Sequence, residues 1–233
     1  MADNAHTEQT DSRYELKLTA GRHELARVRA WLRTHPAAFS SLYPARRVNS
    51  VYFDTPQLGS FHDNLAGVSD RCKLRLRWYG DDLTEATGTL ELKIKQGLLG
   101  RKMQYALPGR LRLDRVTWRD LLAGMRRGLP PLWRNCLGMA CCPTVLTRYR
   151  RAYYVSADIA VRVTVDWDLH VYDQRRSMHP NLRWSSPLAD RVIIELKCAN
   201  RNRGKLADVA AKFPIRVERC SKYISGLQAG LAN

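Results

Sequence analysis

The stretch that decides the fold is Arg71–Tyr79, with the sequence RCKLRLRWY. Its basic residues alternate with apolar or aromatic ones, and a period of two indicates a β-strand whose two faces meet different surroundings. One face is therefore cationic and the other apolar. The apolar face has to pack against a core, so the cationic row faces either open water or a cavity that holds anions. Taken alone, the stretch leaves both interpretations open.

Other segments of the chain repeat this alternation and add isolated carboxylates to the charged face. They are residues 13–18 (RYELKL), 89–95 (TLELKIK), 161–168 (VRVTVDWD) and 192–197 (VIIELK). Unpaired buried charge is very costly, so such faces could meet inside a barrel only if the interior held water and a polyanion. Further strands are predicted over residues 47–54, 101–107 and 144–155. An ordinary sandwich or meander with its polar residues outside would show the same alternation, so a barrel with the charged faces inside stays one of two interpretations of these strands.

The composition points to an anionic partner. The 233 residues include 39 Lys and Arg against 22 Asp and Glu, a formal net charge of +17. This excess attracts nucleic acid, polyphosphate, nucleotides or an anionic membrane, and it identifies partners rather than a fold. No apolar run approaches the roughly 20 residues of a membrane helix, and the chain does not open with a secretory signal. The six cysteines lack CxxC spacing and the histidines lack a zinc-ligand spacing, so we expect a reduced, cytoplasmic protein.

Around the strands, the sequence divides into a short start and a single domain. Residues 1–12 predict a disordered lead-in, and residues 13–233 form one domain. Within it, residues 116–140 show helical periodicity and predict a helical insertion. Residues 173–190, with two prolines and several serines, predict a long mobile loop.

The connections carry predictions of their own. Thr19 is expected to cap a helix that ends before Pro36. Residues 61–69 are interpreted as a polar link. Near the end of the chain, residues 215–219 are predicted to form a last strand and residues 221–231 a closing helix.

Eight motifs in one order resemble a known family. They are RYELK (13–17), VYFDT (51–55), KLRLRWYG (73–80), LELKIK (90–95), LTRYRRAYY (146–154), VRVTVDWDL (161–169), IIELK (193–197) and SKYISG (221–226). Together they resemble the VTC domain, the polyphosphate polymerase branch of the triphosphate tunnel metalloenzymes and a relative of CYTH domains. Two departures are Arg219-Cys220 before Ser221, and His62 to Asn64, where the family often has a further basic residue.

The resemblance implies an α+β fold in which an antiparallel β-barrel of about eight strands forms a tunnel with a charged interior and helices packed outside. In that tunnel, basic side chains hold a chain of phosphates and a carboxylate holds Mn²⁺ or Mg²⁺. The implied catalytic residues are Lys17, Arg75, Arg77, Lys93, Arg148, Arg151 and Lys222. The implied substrate-binding residues are Lys73, Lys95, Lys197, Arg162, Arg219 and Ser221. The main implied metal ligand is Glu195, with Glu15, Glu91 and Asp166 as secondary candidates.

These residues suit phosphoryl transfer, which needs positioning and charge neutralisation rather than a protein nucleophile. The resemblance implies an ATP-dependent polyphosphate polymerase that extends inorganic polyphosphate, with no specific nucleic acid as partner. An inorganic triphosphatase or nucleoside triphosphatase of the same fold is the alternative within enzymes; the single ExK, in place of the ExExK of hydrolytic CYTH members, favours the polymerase. A non-catalytic polyanion binder would explain the net charge but not the interleaved carboxylates.

Overall fold

The main element of the structure, a computed structural model, is one large antiparallel sheet. The structure describes residues 13–96, 99–188, 190–215, 217–218 and 220–231. Eight strands of this sheet follow the order β1-β11-β9-β8-β2-β3-β5-β6, β10 pairs with β9, and β4 and β7 form a separate ribbon. The strands in the described residues are β1 (Arg13–Gly21), β2 (Ser40–Asp54), β3 (Arg71–Tyr79), β4 (Glu85–Ala86), β5 (Thr89–Gln96), β6 (Leu99–Ala106), β7 (Leu111–Arg112), β8 (Cys142–Val155), β9 (Val161–Asp173), β10 (Ser186–Pro187) and β11 (Arg191–Ala199).

Six α-helices pack around this sheet. They are α1 (Leu25–Thr34), α2 (Gly59–Ala66), α3 (Trp118–Gly128), α4 (Pro131–Met139), α5 (Arg203–Ala211) and α6 (Lys222–Leu231). Short 3₁₀ turns precede α1 at Arg22–Glu24 and α5 at Asn200–Asn202. None of the helices in the described residues is long and apolar enough to cross a membrane.

The sheet curls into a half-barrel toward its charged face. Lys93 on β5 lies 3.4 Å from Glu15 on β1, although these strands stand near opposite ends of the strand order. Side chains from distant strands can meet in this way only if the sheet bends around them. The charged face is therefore concave, and β1 and β6 remain its two edges without a backbone ladder between them among the described residues.

Three apolar clusters fix this shape. Leu74, Leu76 and Trp78, on the convex face of β3, pack with side chains of α3 and α4. A second convex cluster joins β1, β9 and β11 to α1 and α5. The third lies on the concave side, where Tyr223 and Leu227 of α6 pack against residues of β2, β8 and β9. Most helices thus cover the outside, whereas α6 packs against one end of the concave face.

Several predictions about elements are confirmed. The strand Arg71–Tyr79 has the bounds expected from its alternation. The helical periodicity over residues 116–140 corresponds to α3 and α4, while their status as an insertion stays a prediction. The closing helix is α6. In each case the hydrophobic period and the residues that end a strand or helix indicate the same element, so the local sequence was enough to predict it.

Other predictions about connections are wrong. Thr19 pairs with Ile193 inside β1 instead of capping a helix, and α1 begins only at Leu25. The predicted polar link contains α2, whose Phe61 is buried against α6. In place of a last strand, the described part of residues 215–219 shows a single bridge from Val217 to Leu18.

The predicted mobile loop and lead-in have different outcomes. Within 173–190, the Asn181 side-chain amide donates to the Asp173 carbonyl oxygen, 3.1 Å away, and the short strand β10 pairs with β9. Its mobility stays a prediction. The lead-in over residues 1–12 lies outside the described residues.

Candidate functional site

The concave face gathers charged side chains from seven strands and one helix, and we call this set the concave site. Cross-strand partners share a face, so the alternation seen in the sequence places these side chains together. Its nine basic residues outnumber its four carboxylates, which leaves a formal excess of five positive charges. The members are Lys17, Lys73, Arg75, Arg77, Lys93, Lys102, Arg151, Lys197 and Lys222, with Glu15, Glu91, Asp166 and Glu195.

Glu91 is the centre of the first charge cluster. Arg75 Nε donates to its Oε2 at 2.7 Å and Lys102 Nζ lies 2.8 Å from its Oε1, where Gln104 also donates at 3.0 Å. Arg77 lies further away, at 3.6 Å. Burial by itself raises the pKa of Glu91, but the three cations outweigh it and hold that pKa well below its ordinary value. Glu91 is therefore a fixed anion that orients the guanidinium groups.

Asp166 is the centre of the second cluster and is fully buried. Arg151 donates to both of its carboxylate oxygens, at 2.6 and 2.7 Å, and Lys222 of α6 lies 2.5 Å from Oδ2. Burial raises the pKa of Asp166, but Arg151 and Lys222 outweigh this effect and hold that pKa below its ordinary value. The bidentate pair holds Arg151 in one orientation, and the contact of Lys222 with Asp166 ties α6 to the sheet.

Glu195 connects the second cluster to β1. Lys197 Nζ lies 2.6 Å from its carboxylate, and Lys17, Lys222 and Arg151 lie at 3.6 to 3.7 Å. Burial raises the pKa of Glu195, but these four cations together hold it well below its ordinary value. Four cations around one carboxylate leave positive potential for a further anion.

Glu15 lies where the two edges of the half-barrel approach each other. It is 3.3 Å from Lys17 and 3.4 Å from Lys93. Burial and the nearby Glu195 raise the pKa of Glu15, while Lys197, Lys17 and Lys93 lower it, to about 2. Lys93 itself is about half exposed, with 54% of its side chain accessible, and marks the rim of the site.

Lys73 differs from the other lysines of the concave site because no carboxylate of the described residues lies within 4.0 Å of it. Its Nζ donates to Ser221 Oγ at 3.0 Å. Burial, followed by the charges of Lys17 and Lys93 and of Arg71 and Arg75 on its own strand, lowers the pKa of Lys73 to about 7. A half-buried cation among cations lacks electrostatic compensation from the part of the chain that the structure describes, and an anionic ligand would supply it.

The remaining implied binding residues lie at the rim or outside the described chain. Lys95 pairs in register with Arg71, next to the start of β3. Arg162 is exposed and stands opposite Lys197 where β9 begins. Ser221 lies beside Lys73 as described, and Arg219 falls outside the described residues.

The placement of Arg148 contradicts the prediction that it lines the phosphate path. Arg148 and Arg151 are three residues apart on β8, and an odd spacing in a strand puts two side chains on opposite faces. Arg148 stands beside Asn49 on the convex side, and its guanidinium donates to the Asp81 carbonyl oxygen at 2.6 Å. It does not belong to the concave site.

The structure adds three polar residues that sequence reasoning missed. Lys102 on β6 faces Lys93 across the β5–β6 pair, and a hairpin register counted outward from the turn could have revealed it. Tyr52 accepts a hydrogen bond from Arg75 at 3.1 Å, and Ser50 lies 3.5 Å from Arg77 Nε. Both come from the 47–54 strand, and neither side chain is charged, so a pattern of alternating charges could not reveal them.

The carboxylates differ in their fit to a divalent cation. No group of three or more His, Cys, Asp or Glu side chains in the described residues could enclose one. With so few carboxylates at any one point, the concave site suits an ion that takes most of its ligands from phosphates and one or two from carboxylates, as Mg²⁺ commonly does. Glu195 and Glu15, on adjacent strands and close enough for Glu195 to raise the pKa of Glu15, fit that role. Asp166 and Glu91 do not fit, because each of their oxygens has a donor within 3.0 Å. In the described part of the chain, Glu195 has only Lys197 that close, and the two cations beside Glu15 lie at 3.3 and 3.4 Å.

A curled antiparallel sheet whose concave face is rich in oriented Arg and Lys, with helices packed around it, defines an α+β half-barrel with a cationic interior. The family model of the VTC domain matches residues 12–230, and the chain belongs to this family. This membership confirms the resemblance that the eight sequence motifs indicated.

The likeness to solved structures is weaker. The chain is similar to a proposed adenylyl cyclase from Hippeastrum with a dominant triphosphatase activity, at 15% identity and a TM-score of 0.49, covering 94% of this chain and 96% of that one. It is also similar to a proposed adenylate cyclase from Vibrio parahaemolyticus, at 11% identity and a TM-score of 0.49, covering 93% of this chain and 98% of that one. Among curated proteins, none matches the sequence.

Proposed function

We propose that the protein is an ATP-dependent polyphosphate polymerase, which transfers the γ-phosphoryl group of ATP to the end of a growing polyphosphate chain. Membership of the VTC domain family and the positive excess of the concave site support this proposal. In the reaction, an oxygen of the terminal phosphate of the polymer forms a bond to the γ-phosphorus. The bond from that phosphorus to the β,γ-bridging oxygen breaks, and ADP leaves with the electron pair.

The basic residues of the site supply positioning and charge neutralisation. Arg75 and Arg151 are held in fixed orientations by Glu91 and Asp166, so their planar forks are preorganised for phosphate oxygens. Lys73 adds a point charge that lacks a carboxylate partner among the described residues. Groups fixed before the reaction stabilise charge on the transferred phosphoryl group without reorganisation.

The observation that carries the proposal is the state of the carboxylates. An effective general base has a pKa near the working pH, but the concave site holds the pKa of Glu15 at about 2 and those of Glu91, Asp166 and Glu195 below their ordinary values. A water nucleophile benefits from such a base. A terminal phosphate is already an anion and needs none, so these carboxylates suit a phosphate acceptor better than water. The groups of the site whose pKa values lie near the working pH are Lys73, at about 7, and Lys102, at about 8, and a hydrolytic reaction would have to draw on them.

A divalent cation, Mn²⁺ or Mg²⁺, is part of this proposal. Glu195 would hold it with Glu15, and it would neutralise phosphate charge when bound. The residues of the chain orient the phosphates around it.

The test is a product analysis. Purified protein is incubated with ATP and Mn²⁺, and long polyphosphate is separated from free phosphate. Arg75→Ala serves as the site variant, and Arg148→Ala is its matched control, since the same residue type there faces away from the site. We expect polymer from the wild type and from Arg148→Ala, with little from Arg75→Ala. Free phosphate without polymer would replace the proposal with a triphosphatase, and no turnover would favour a polyanion binder.

A further inference from the structure

Three tyrosines surround one arginine at one end of the concave site, and we call Tyr43, Arg46, Tyr79 and Tyr153 the tyrosine mouth. The Arg46 guanidinium carbon lies 4.1 Å from the centre of the Tyr79 ring, 5.0 Å from that of Tyr153 and 5.8 Å from that of Tyr43. Arg46 Nε also donates to the Tyr153 hydroxyl oxygen at 3.2 Å. None of these contacts is required by the phosphate site described above.

Strand register places the tyrosine mouth next to the phosphate-binding arginines. Arg46 stands directly opposite Arg151, and Tyr79 follows Arg77 by two residues on the same face of β3. Tyr153 likewise follows Arg151 by two residues on β8. The mouth therefore continues the concave face beyond its last guanidinium groups.

The mouth also lies at the open end of the site. Helix α6 packs near Val145 and Val171, at the other ends of β8 and β9. Tyr43 and Tyr79 remain 52% and 47% exposed, among the more exposed large aromatic side chains of the described residues. Exposed aromatic rings beside a cation, at the exit of an anion site, can receive a flat ring that is attached to phosphates.

We propose that the tyrosine mouth stacks the base of a nucleoside triphosphate whose phosphates occupy the concave site. The inference rests on the proposed function, because it needs the phosphates to lie against Arg75, Arg77 and Arg151. A purine or pyrimidine ring carried by the α-phosphate end would emerge beside Arg46 and Tyr79. Stacking tolerates any base because every base offers a π-face. The mouth would thus distinguish a nucleoside triphosphate from inorganic triphosphate.

The experiment compares two ligands that share phosphates but differ in the ring. Binding of ATP and of inorganic tripolyphosphate is measured by calorimetry in EDTA, for the wild type, Tyr79→Leu and Tyr79→Phe. Trp184→Leu, which removes another exposed aromatic ring away from the concave site, is the matched control. We expect Tyr79→Leu to weaken ATP binding about tenfold, leaving tripolyphosphate binding unchanged. Tyr79→Phe and Trp184→Leu should bind both ligands as the wild type does.

The possible outcomes separate this inference from the proposed function. Arg75→Ala is measured in parallel and should lose both ligands. If Tyr79→Leu binds ATP normally while Arg75→Ala loses both ligands, the stacking role is overturned and the phosphate site stands. If Tyr79→Leu loses both ligands equally, the side chain supports phosphate binding or folding, which also overturns stacking. If Arg75→Ala binds both normally, the phosphate site itself fails and the mouth loses its basis.

Discussion

Lys73 should take up a proton when a phosphate chain binds. Its pKa is lowered to about 7 by burial first, and then by Lys17, Lys93, Arg71 and Arg75. Ser221 and the Tyr223 ring, which also face its ammonium group, carry no compensating charge. A bound polyphosphate supplies that charge and should return the pKa toward its ordinary value of about 10.4.

The magnitude follows from the two pKa values. At pH 8 the free Lys73 is about one-tenth protonated and the bound one almost fully so, which gives an uptake of about 0.9 proton. The uptake should fall to about 0.5 at pH 7 and about 0.1 at pH 6. Affinity should therefore decline as the pH rises above about 7, by up to about tenfold per pH unit. The free energy of unfolding of the ligand-free protein should change with pH in the opposite direction to the affinity. A depressed lysine pKa makes folding more favourable as the pH rises from 7 toward 10.

Isothermal titration calorimetry can measure this uptake. Tripolyphosphate is titrated in EDTA at pH 6, 7 and 8, in buffers that differ in ionisation enthalpy. Lys73→Arg is the matched control, because an arginine keeps its proton throughout this range. Proton exchange by the ligand is common to both proteins, so the difference between them isolates Lys73. Equal uptake by the wild type and Lys73→Arg at pH 8 would refute the reasoning.

The other predictions concern catalysis, metal binding, stability and selectivity. Arg75→Ala should lower polymer synthesis at least about a hundredfold while Arg148→Ala leaves it unchanged, and equal rates for the two variants would contradict the site. Glu195→Gln should lose metal-dependent turnover but retain or tighten tripolyphosphate binding in EDTA; unaltered turnover would make Glu195 a structural ion-pair residue. Asp166→Asn should destabilise the fold by about 3–5 kcal/mol in urea unfolding, since two buried cations lose their anion, and a change near zero would disprove that role. Duplex DNA should fail to displace polyphosphate in a competition titration at physiological ionic strength, because Lys93 and Glu15 approach to 3.4 Å across the half-barrel and leave no room for a duplex; displacement would indicate a general polyanion binder.

The sequence was most informative where a regular period acted alone. Alternation in Arg71–Tyr79 predicted both the strand and its cationic face. Odd and even positions of a strand face opposite sides, and this rule of parity needs no knowledge of the neighbouring strands. The same parity rule, applied to β8, would have placed Arg148 outside the site. Motif resemblance instead grouped it with Arg151.

Side-chain pairing was harder to predict because it depends on neighbours that are distant in sequence. Nothing local distinguishes Glu91 and Asp166, which are saturated by cations, from Glu195 and Glu15, which suit a metal. The bulge in the β8–β9 pair, where Asp168 has a positive φ of 55°, shifts the register and directs that residue's carboxylate to Arg47. Strict alternation along residues 161–168 predicted instead that Asp168 lies on the same face of the strand as Asp166.

The contribution of α6 to the concave site has a consequence for biosynthesis. Lys17 is among the first described residues to leave the ribosome, yet it donates to the Cys220 carbonyl oxygen 203 residues later. Lys222 then completes the pairing of Asp166. Until α6 has been synthesised, the nascent chain exposes the inner faces of β8 and β9 together with a carboxylate that lacks one of its two cations. Such late, long-range closure slows folding and extends the interval in which a chaperone can bind these strands.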